Sequence, residues 1–442
     1  MDDYRLLADE VAAAIADGRL RPGQQLPTQR AFARTRGIAA STAGRVYREL
    51  ARRRLVVGEV GRGTFVRAGR PGAEQPVALA EPAAPDRVDL ELNYPVVPEQ
   101  SALLAAGLAP LLRPDALEAA LRPIGVAGTA AARRAFAGLV EAAPQEVLFA
   151  GSGRQLLAAA LGALVPTGQR LGVEELTYPV VKAVAERLGI ALVPLAVDEQ
   201  GVLPQALAAA HRSAPLRAVY LQPRLHNPLG ASLSPERCER LAGELRRLDL
   251  PVVEDAIWSF LHPGRPALAA LLPERTVLVD SLSKRLAPGL TTGFAVVPDA
   301  GLRERLAAAL RSGGWAPSGF ALEAAVRWVG DGTVAAVEGA KRADATERQL
   351  VARRLLAGRA VRSDPVSYYL WWELPRAWRA ETFVAAAARH GIAVTPAAAF
   401  AADPRSTPNA VRVGLASPAL PVLREALGTL ARIAASTPEE LW

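Results

Sequence analysis

The chain has 442 residues, half of them apolar and 22% charged, a globular composition too long for one ordinary core. Two or three domains are therefore expected. No run of about 18 apolar residues occurs, and Met1-Asp2-Asp3-Tyr4 lacks a basic region followed by an apolar stretch. The expectation is a cytoplasmic chain with no membrane span and no secretory leader. A single cysteine, Cys238, excludes an internal disulfide framework and a multi-cysteine zinc site, and four histidines leave little for any other metal.

The net charge of +8 is concentrated at the N-terminus. Residues 1–70 carry 14 Arg and no Lys against 7 acids. From Gly18 to Arg70 the only acids are Glu49 and Glu59. A block of this kind either meets a polyanion or forms a solvated basic face. Its elements favour the first. Leu7, Val11 and Ile15 make one apolar helical stripe, closed by Gly18. Pro22-Gly23 marks a turn, and Thr28 is the expected N-cap of a second helix that ends near Gly37. A third helix starts at or near Ser41, with Ala43, Val46, Tyr47 and Leu50 inward. Ser41, Arg45, Arg48 and Arg52 lie on its outer stripe, as suits a helix in the major groove. Leu55-Val56-Val57 and Gly63-Thr64-Phe65-Val66 then flank Glu59-Val60-Gly61-Arg62, a hairpin wing whose arginine tip suits DNA contact.

This span resembles the GntR-type winged helix-turn-helix. Tyr4, the stretch Ile15 to Pro27, Arg30 and Gly61-Arg-Gly-Thr-Phe-Val66 carry the resemblance. It implies a double-stranded DNA operator read through Arg30, Ser41, Thr42, Arg45, Arg62 and Gly63. The family commonly has an arginine where this chain has Ala40, so the operator is expected to differ from the common pattern.

From Arg67 to Asp86 the chain is rich in Pro, Ala and Gly without an apolar period, which reads as a linker. Alternating units follow. Short apolar runs at 147–150, 218–221, 251–255, 277–280 and 294–297 read as strands between helices, hence an α/β body with a mostly parallel sheet. Ligands of such sheets bind at the strand ends, where the polar residues of this chain fall. Ser281-Leu282-Ser283-Lys284 places two hydroxyls and an amine directly after a strand, a set that suits a phosphate and an aldehyde together. The chain has only three lysines, Lys182, Lys284 and Lys341, against 49 arginines, so an amine here draws notice. Asp255 suits a pyridinium nitrogen, Ser152-Gly153 opens a helix whose free N–H groups favour a phosphate, Asn227 suits a phenolate oxygen, and Tyr178 suits stacking on a ring. Singly, Asp255 is equally a helix cap, Tyr178 a core aromatic and Ser152-Gly153 a plain turn. The aromatic run Ser367 to Leu374 reads as a core strand of a smaller subdomain rather than a cofactor box.

In this order the residues resemble the fold-type I aminotransferases that use pyridoxal 5'-phosphate (PLP), over roughly residues 88–440. Ser-x-Ser-Lys followed by Arg285 and Leu-Ala-Pro-Gly-Leu is the most specific part. The resemblance implies large and small subdomains at 88–315 and 316–442, after a head at 1–68 and a linker at 69–87. It implies a substrate or effector carboxylate at Arg412. A GntR-type head on such a body resembles the MocR subfamily of regulators, and this implies a homodimeric transcription factor. The effector would be PLP or a PLP–amine adduct, from an amine or amino acid. Lys284 would be the catalytic residue only if turnover occurs.

Two positions depart from the family. The arginine expected seven residues after the lysine, where it grips the phosphate, is Thr291. The tyrosine common two residues after the aspartate is Ile257, followed by Trp258. Three outcomes stay open: weak PLP binding, binding by another cation such as Arg285, or a different ligand. Three functions follow: a PLP-sensing regulator, an aminotransferase with an appended head, or a regulator whose body is a scaffold.

Overall fold

The computed structural model describes residues 4–21, 23–52, 55–59, 63–66, 87–264 and 267–441. Its head is three helices and a wing: α1 (Tyr4–Ala16), α2 (Gln29–Arg36), α3 (Ala40–Arg52), β1 (Val56–Glu59) and β2 (Gly63–Val66). Thr28 caps α2 by accepting from the Ala31 N–H at 3.2 Å, and Gly37 ends it with a left-handed φ of 64°, which glycine adopts without strain. The four inward residues expected on α3 are buried, and Phe32 meets Tyr47 edge-on at 5.5 Å. β1 and β2 pair antiparallel, with Val56 opposite Val66. The wing tip, Arg62 included, lies outside the described residues, as do the linker positions up to Asp86.

The body holds the remaining strands: β3 (Val88–Leu90), β4 (Val147–Ala150), β5 (Arg170–Glu174), β6 (Ala191–Leu195), β7 (Val197–Asp198), β8 (Gly201–Val202), β9 (Ala218–Leu221), β10 (Val252–Asp255), β11 (Thr276–Ser281), β12 (Gly293–Val296), β13 (Val361–Arg362), β14 (Tyr369–Glu373), β15 (Ile392–Pro396) and β16 (Ala410–Gly414). The main sheet runs β4-β12-β11-β10-β9-β5-β6, parallel except for β12, which is antiparallel to both neighbours. Both faces are covered. Leu148, Ala150, Tyr220, Val253, Val277 and Val279 pack on the helices Gly153–Leu164, Pro179–Leu188 and Ala300–Ser312. The alternate residues Val147, Phe149, Leu278 and Phe294 pack on the other side, against Ala130–Leu139 and Gly319–Gly330. This period of two with apolar residues on both faces is why the strands read as continuous apolar runs. Truncating a residue such as the fully buried Phe149 would cost about 3–5 kcal/mol through the cavity left.

A second sheet, β13-β14-β16-β15-β3, packs on the helices Ala380–Arg389 and Leu420–Ala435. Tyr368, Tyr369, Trp371 and Trp372 are buried there, as core residues. Thr333–Leu355, 23 residues long, joins the two cores, with Val337 in one and Val351 in the other. Two subdomain boundaries differ from the sequence expectation. Strand 88–90 belongs to the small sheet, pairing with 392–394, although it precedes the large subdomain in the chain. The helix Gly319–Gly330 belongs to the large core, because Leu322, Ala325 and Trp328 face it. Sequence order does not follow sheet membership here.

Candidate functional site

A cavity of about 510 Å³ opens at the carboxyl ends of β4, β10 and β11, between the two subdomains. Its wall contains eight of the nine residues expected to hold a cofactor: Ser152, Gly153, Tyr178, Asn227, Asp255, Ser281, Ser283 and Lys284. Arg412, the expected carboxylate partner, is also on the wall.

Lys284 extends from the short helix Leu282–Arg285 and donates to the Asn93 carbonyl at 2.5 Å. Its ammonium lies 4.7 Å from the Tyr94 ring centre and 5.6 Å from that of Trp258. Burial lowers its proton affinity to about 7, aided by the positive charges of Arg154, Arg412 and Lys341. A large fraction of this amine is neutral near pH 7, the form that attacks a carbonyl. Asp255, at the end of β10, accepts from Tyr220 Oη at 2.7 Å, Gln222 Nε2 at 3.0 Å and the Ile257 N–H at 3.1 Å. Burial raises its carboxyl to about 6 against those donors. A cation set against it would be strongly favoured. Behind it, Gln222 donates its backbone N–H to Glu174 at 2.9 Å. Burial lifts the Glu174 carboxyl to about 8 and lowers His226 to about 4, so this neighbouring pair, 3.9 Å apart, is neutral near pH 7.

The start of the helix Gly153–Leu164 abuts the strand ends. A Cβ on Gly293 would lie 2.5 Å from the Gly153 nitrogen, so only glycine allows this approach. Ser152 caps the helix by accepting from the Gln155 N–H at 3.2 Å. The Ser281 hydroxyl accepts from the Ser283 N–H and lies 3.1 Å from both Ser283 Oγ and the Thr291 carbonyl. At the other end of the cavity Arg412 donates to Asn227 Oδ1 and Thr395 Oγ1, each at 3.2 Å, and to the Glu91 carbonyl. Its Nε has no partner among the described residues, and its guanidinium lies 5.2 Å from the Phe400 ring centre. Burial lowers its proton affinity to about 10, which still leaves it charged near pH 7.

Arg285 departs from the expectation, because it is not on the cavity wall. Its guanidinium is buried and paired with Asp280 at 2.7 Å and with Glu338. Lys284 and Arg285 are neighbours on one turn of helix and point to different sides, so Arg285 cannot stand in for the missing phosphate cation. Thr291 is on the wall, but its hydroxyl donates to the Gly151 carbonyl at 2.7 Å. Ile257 lines the cavity where the family has tyrosine, with Trp258 beside it.

Arg154, Gln222, Asn93 and Tyr94 were not expected. Arg154 carried a signal: a cation in the first turn of a helix opposes the helix dipole, so it calls for an anion nearby. Asn93 and Tyr94 carried none, since their place depends on how the small sheet returns to β11.

In the head, Arg30, Ser41, Arg45 and Gly63 are exposed and Thr42 is half-buried. Ser41, Arg45 and Arg48 share the outer face of α3 as spaced. Arg45 lies over the Tyr4 ring at 4.1 Å, which orients it from α1.

The fold and the pocket define a fold-type I aminotransferase body behind a winged helix-turn-helix head. Residues 121–430 match the family of class I and II aminotransferases, and the chain belongs to it. Residues 3–66 match the gntR family of bacterial regulatory proteins. The combination is the one that the MocR resemblance implied. Over 440 residues the chain is 28% identical to the uncharacterized HTH-type transcriptional regulator YdeF of Bacillus subtilis (strain 168), covering 97% of this chain and 94% of that one. It is 25% identical over 309 residues to the HTH-type pyridoxine biosynthesis transcriptional regulator PdxR of Corynebacterium glutamicum, covering 66% of this chain and 65% of that one. Among solved structures, the α-aminoadipate aminotransferase LysN of Thermus thermophilus, complexed with N-(5'-phosphopyridoxyl)-L-leucine, superposes with a TM-score of 0.72 at 23% identity, over 79% of this chain and 92% of that one.

Proposed function

We propose that this chain is a cytoplasmic, homodimeric transcription regulator whose body senses PLP or a PLP–amine adduct. Residues 1–68 form the DNA-binding head, 69–87 the linker and 88–442 the sensor. The carrying observation is the convergence of Lys284, Asp255, Asn227 and Tyr178 on one cavity, in a chain whose head matches a DNA-binding family. The residues fit the cofactor: a neutral-prone amine, a buried carboxylate for a ring nitrogen, and a glycine-lined helix start for a phosphate.

Bound PLP would supply an aldehyde for amines and an electron-withdrawing ring. The chain's own residues would do the rest. Asp255 would hold the ring nitrogen protonated, steadied by Tyr220 and Gln222. Asn227, whose amide NH2 has no protein acceptor among the described residues, would donate to the phenolate oxygen. Arg412 would take an effector carboxylate. Regulation then requires that the ligand prefer one body arrangement, since a ligand that binds two states equally shifts neither.

The test is the absorption spectrum of the full chain with PLP beside Lys284→Ala, together with footprints of the operator with and without PLP and amines. A visible band in the wild type alone, and a footprint that responds to ligand, support the proposal. No band at high PLP would make the body a scaffold or a sensor of another ligand. Family membership favours one second reading, an aminotransferase with an appended head. Multiple turnover of an amino donor with a keto acid would replace the regulator reading by that one.

A further inference from the structure

We infer that Arg154 is the cation for the cofactor phosphate, a role that the family gives to an arginine at the position occupied here by Thr291. The inference rests on the reading of the cavity as a PLP site and adds the source of its phosphate affinity.

A phosphate monoester carries close to two negative charges near neutral pH, and a specific site for it supplies a counter-charge. The cations on the cavity wall are Arg154, Lys284 and Arg412. Lys284 is the amine, and it donates to the Asn93 carbonyl. Arg412 is held by Asn227, Thr395 and Glu91. Arg285 is consumed by Asp280 and Glu338 away from the cavity. Arg154 remains: its side chain meets the Tyr178 hydroxyl, and among the described residues it has no acidic partner.

Its position fits the role. Arg154 is the second residue of the helix Gly153–Leu164, beside the Gly153 N–H and the hydroxyls of Ser281 and Ser283. Among the described residues the Gly153 and Arg154 N–H groups find no backbone acceptor, as is usual in the first turn of a helix, which leaves them to an anion. An arginine in a first turn is opposed by the helix dipole, and an anion at that terminus reverses the sign of the interaction. The first turn holds no acid that would do this. Thr291 complements the arrangement, because its bond to the Gly151 carbonyl fixes the turn that leads into the helix. Arg154 is exposed, so its side chain can be changed without opening the core.

The test compares PLP with pyridoxal, which lacks the phosphate. Dissociation constants for both are read from the Lys284-dependent visible band of the full chain, for wild type, Arg154→Gln, Arg154→Lys and the double variant Arg154→Gln with Thr291→Arg. Wild type should prefer PLP. Arg154→Gln should weaken PLP by about 10- to 100-fold and leave pyridoxal within about twofold, as expected for one lost charge-assisted contact. Arg154→Lys should restore part of the preference, and the double variant most of it. An unchanged PLP-to-pyridoxal ratio in Arg154→Gln overturns the assignment while the PLP site stands. A loss that is equal for both ligands also overturns it, since the residue would then shape the pocket rather than hold the phosphate. No band with either ligand in the wild type removes the PLP reading, and the assignment with it.

Discussion

Replacing Asp255 by asparagine should stabilise the ligand-free body and weaken its hold on PLP. The Asp255 carboxyl is 4% exposed, and its proton affinity stands at about 6 against 3.8 for the free side chain. The folded chain therefore binds that proton more tightly than the unfolded chain does. Stability is fully present below the unfolded value and is lost as the pH rises from there through about 6. The loss reaches about 3 kcal/mol at pH 7 and about half of that at pH 5, at about 1.36 kcal/mol per pH unit in the window between the two values. Asparagine keeps an oxygen for Tyr220 and removes the charge, so the variant should regain about 1–3 kcal/mol near pH 7. Urea unfolding of the body, followed by tryptophan fluorescence at pH 7 and pH 5, measures the gain at each. The gain should shrink at the lower pH. The same variant should lose about tenfold or more in PLP affinity, because a pyridinium ion would no longer face a carboxylate. An effect on stability that is equal at the two pH values would refute the argument, since it would come from packing or hydrogen bonds rather than from a buried charge.

Three further outcomes are expected. The rate of PLP capture should rise through about pH 7 and then level off, following the neutral amine of Lys284; a midpoint near the ordinary lysine value would contradict the burial argument. Arg412→Gln should weaken the spectral response to amino acids and leave the PLP band itself nearly unchanged, and equal losses in both would remove the carboxylate role. Arg45→Ala should weaken operator binding without altering the PLP band; in titrations across salt, a slope smaller by about one would mark a lost phosphate contact, and an unchanged slope with lower specificity a lost base contact.

What the sequence disclosed divides by the range of the contacts involved. α3 was readable because its apolar period and its hydroxyl and arginine stripe are local, and all four inward residues are buried. Strands β4 and β9 were readable from unbroken apolar runs. β5 and β6 were not, because Gly172 and Pro194 interrupt their runs and β5 begins with Arg170 and ends with Glu174. The antiparallel direction of β12 was hidden as well, since direction is set by the connection and not by the strand's own residues. Of the residues that line the cavity, those in motifs next to a strand end were legible. Asn93 and Tyr94 were missed because they come from a segment that follows a small-sheet strand, and Gln222, although it directly follows β9, was missed because its part is to donate to Asp255. Arg285 was misjudged because a side chain's direction on a one-turn helix depends on tertiary neighbours, here Asp280 and Glu338.

The three lysines show how a correct question can have two answers. Their scarcity suggested a reactive amine, and Lys284 suits that role. Lys182 and Lys341 use a different property of the side chain, its compact set of donors. Lys341 is fully buried on the long helix Thr333–Leu355 and donates to the carbonyls of Lys284 and Leu286 at 2.8 and 2.7 Å. Lys182 donates to the carbonyls of Ala398 and Ala399 at 3.3 and 2.9 Å, next to the Phe400 ring that underlies Arg412. A compact group with three donors can serve two converging carbonyls where a planar guanidinium would not fit. Each of these lysines thus braces one end of the cavity, Lys341 behind Lys284 and Lys182 behind Phe400 and Arg412. Lys341 sits on the helix shared by both cores, so its hydrogen bonds tie the backbone around Lys284 to the joint between the subdomains.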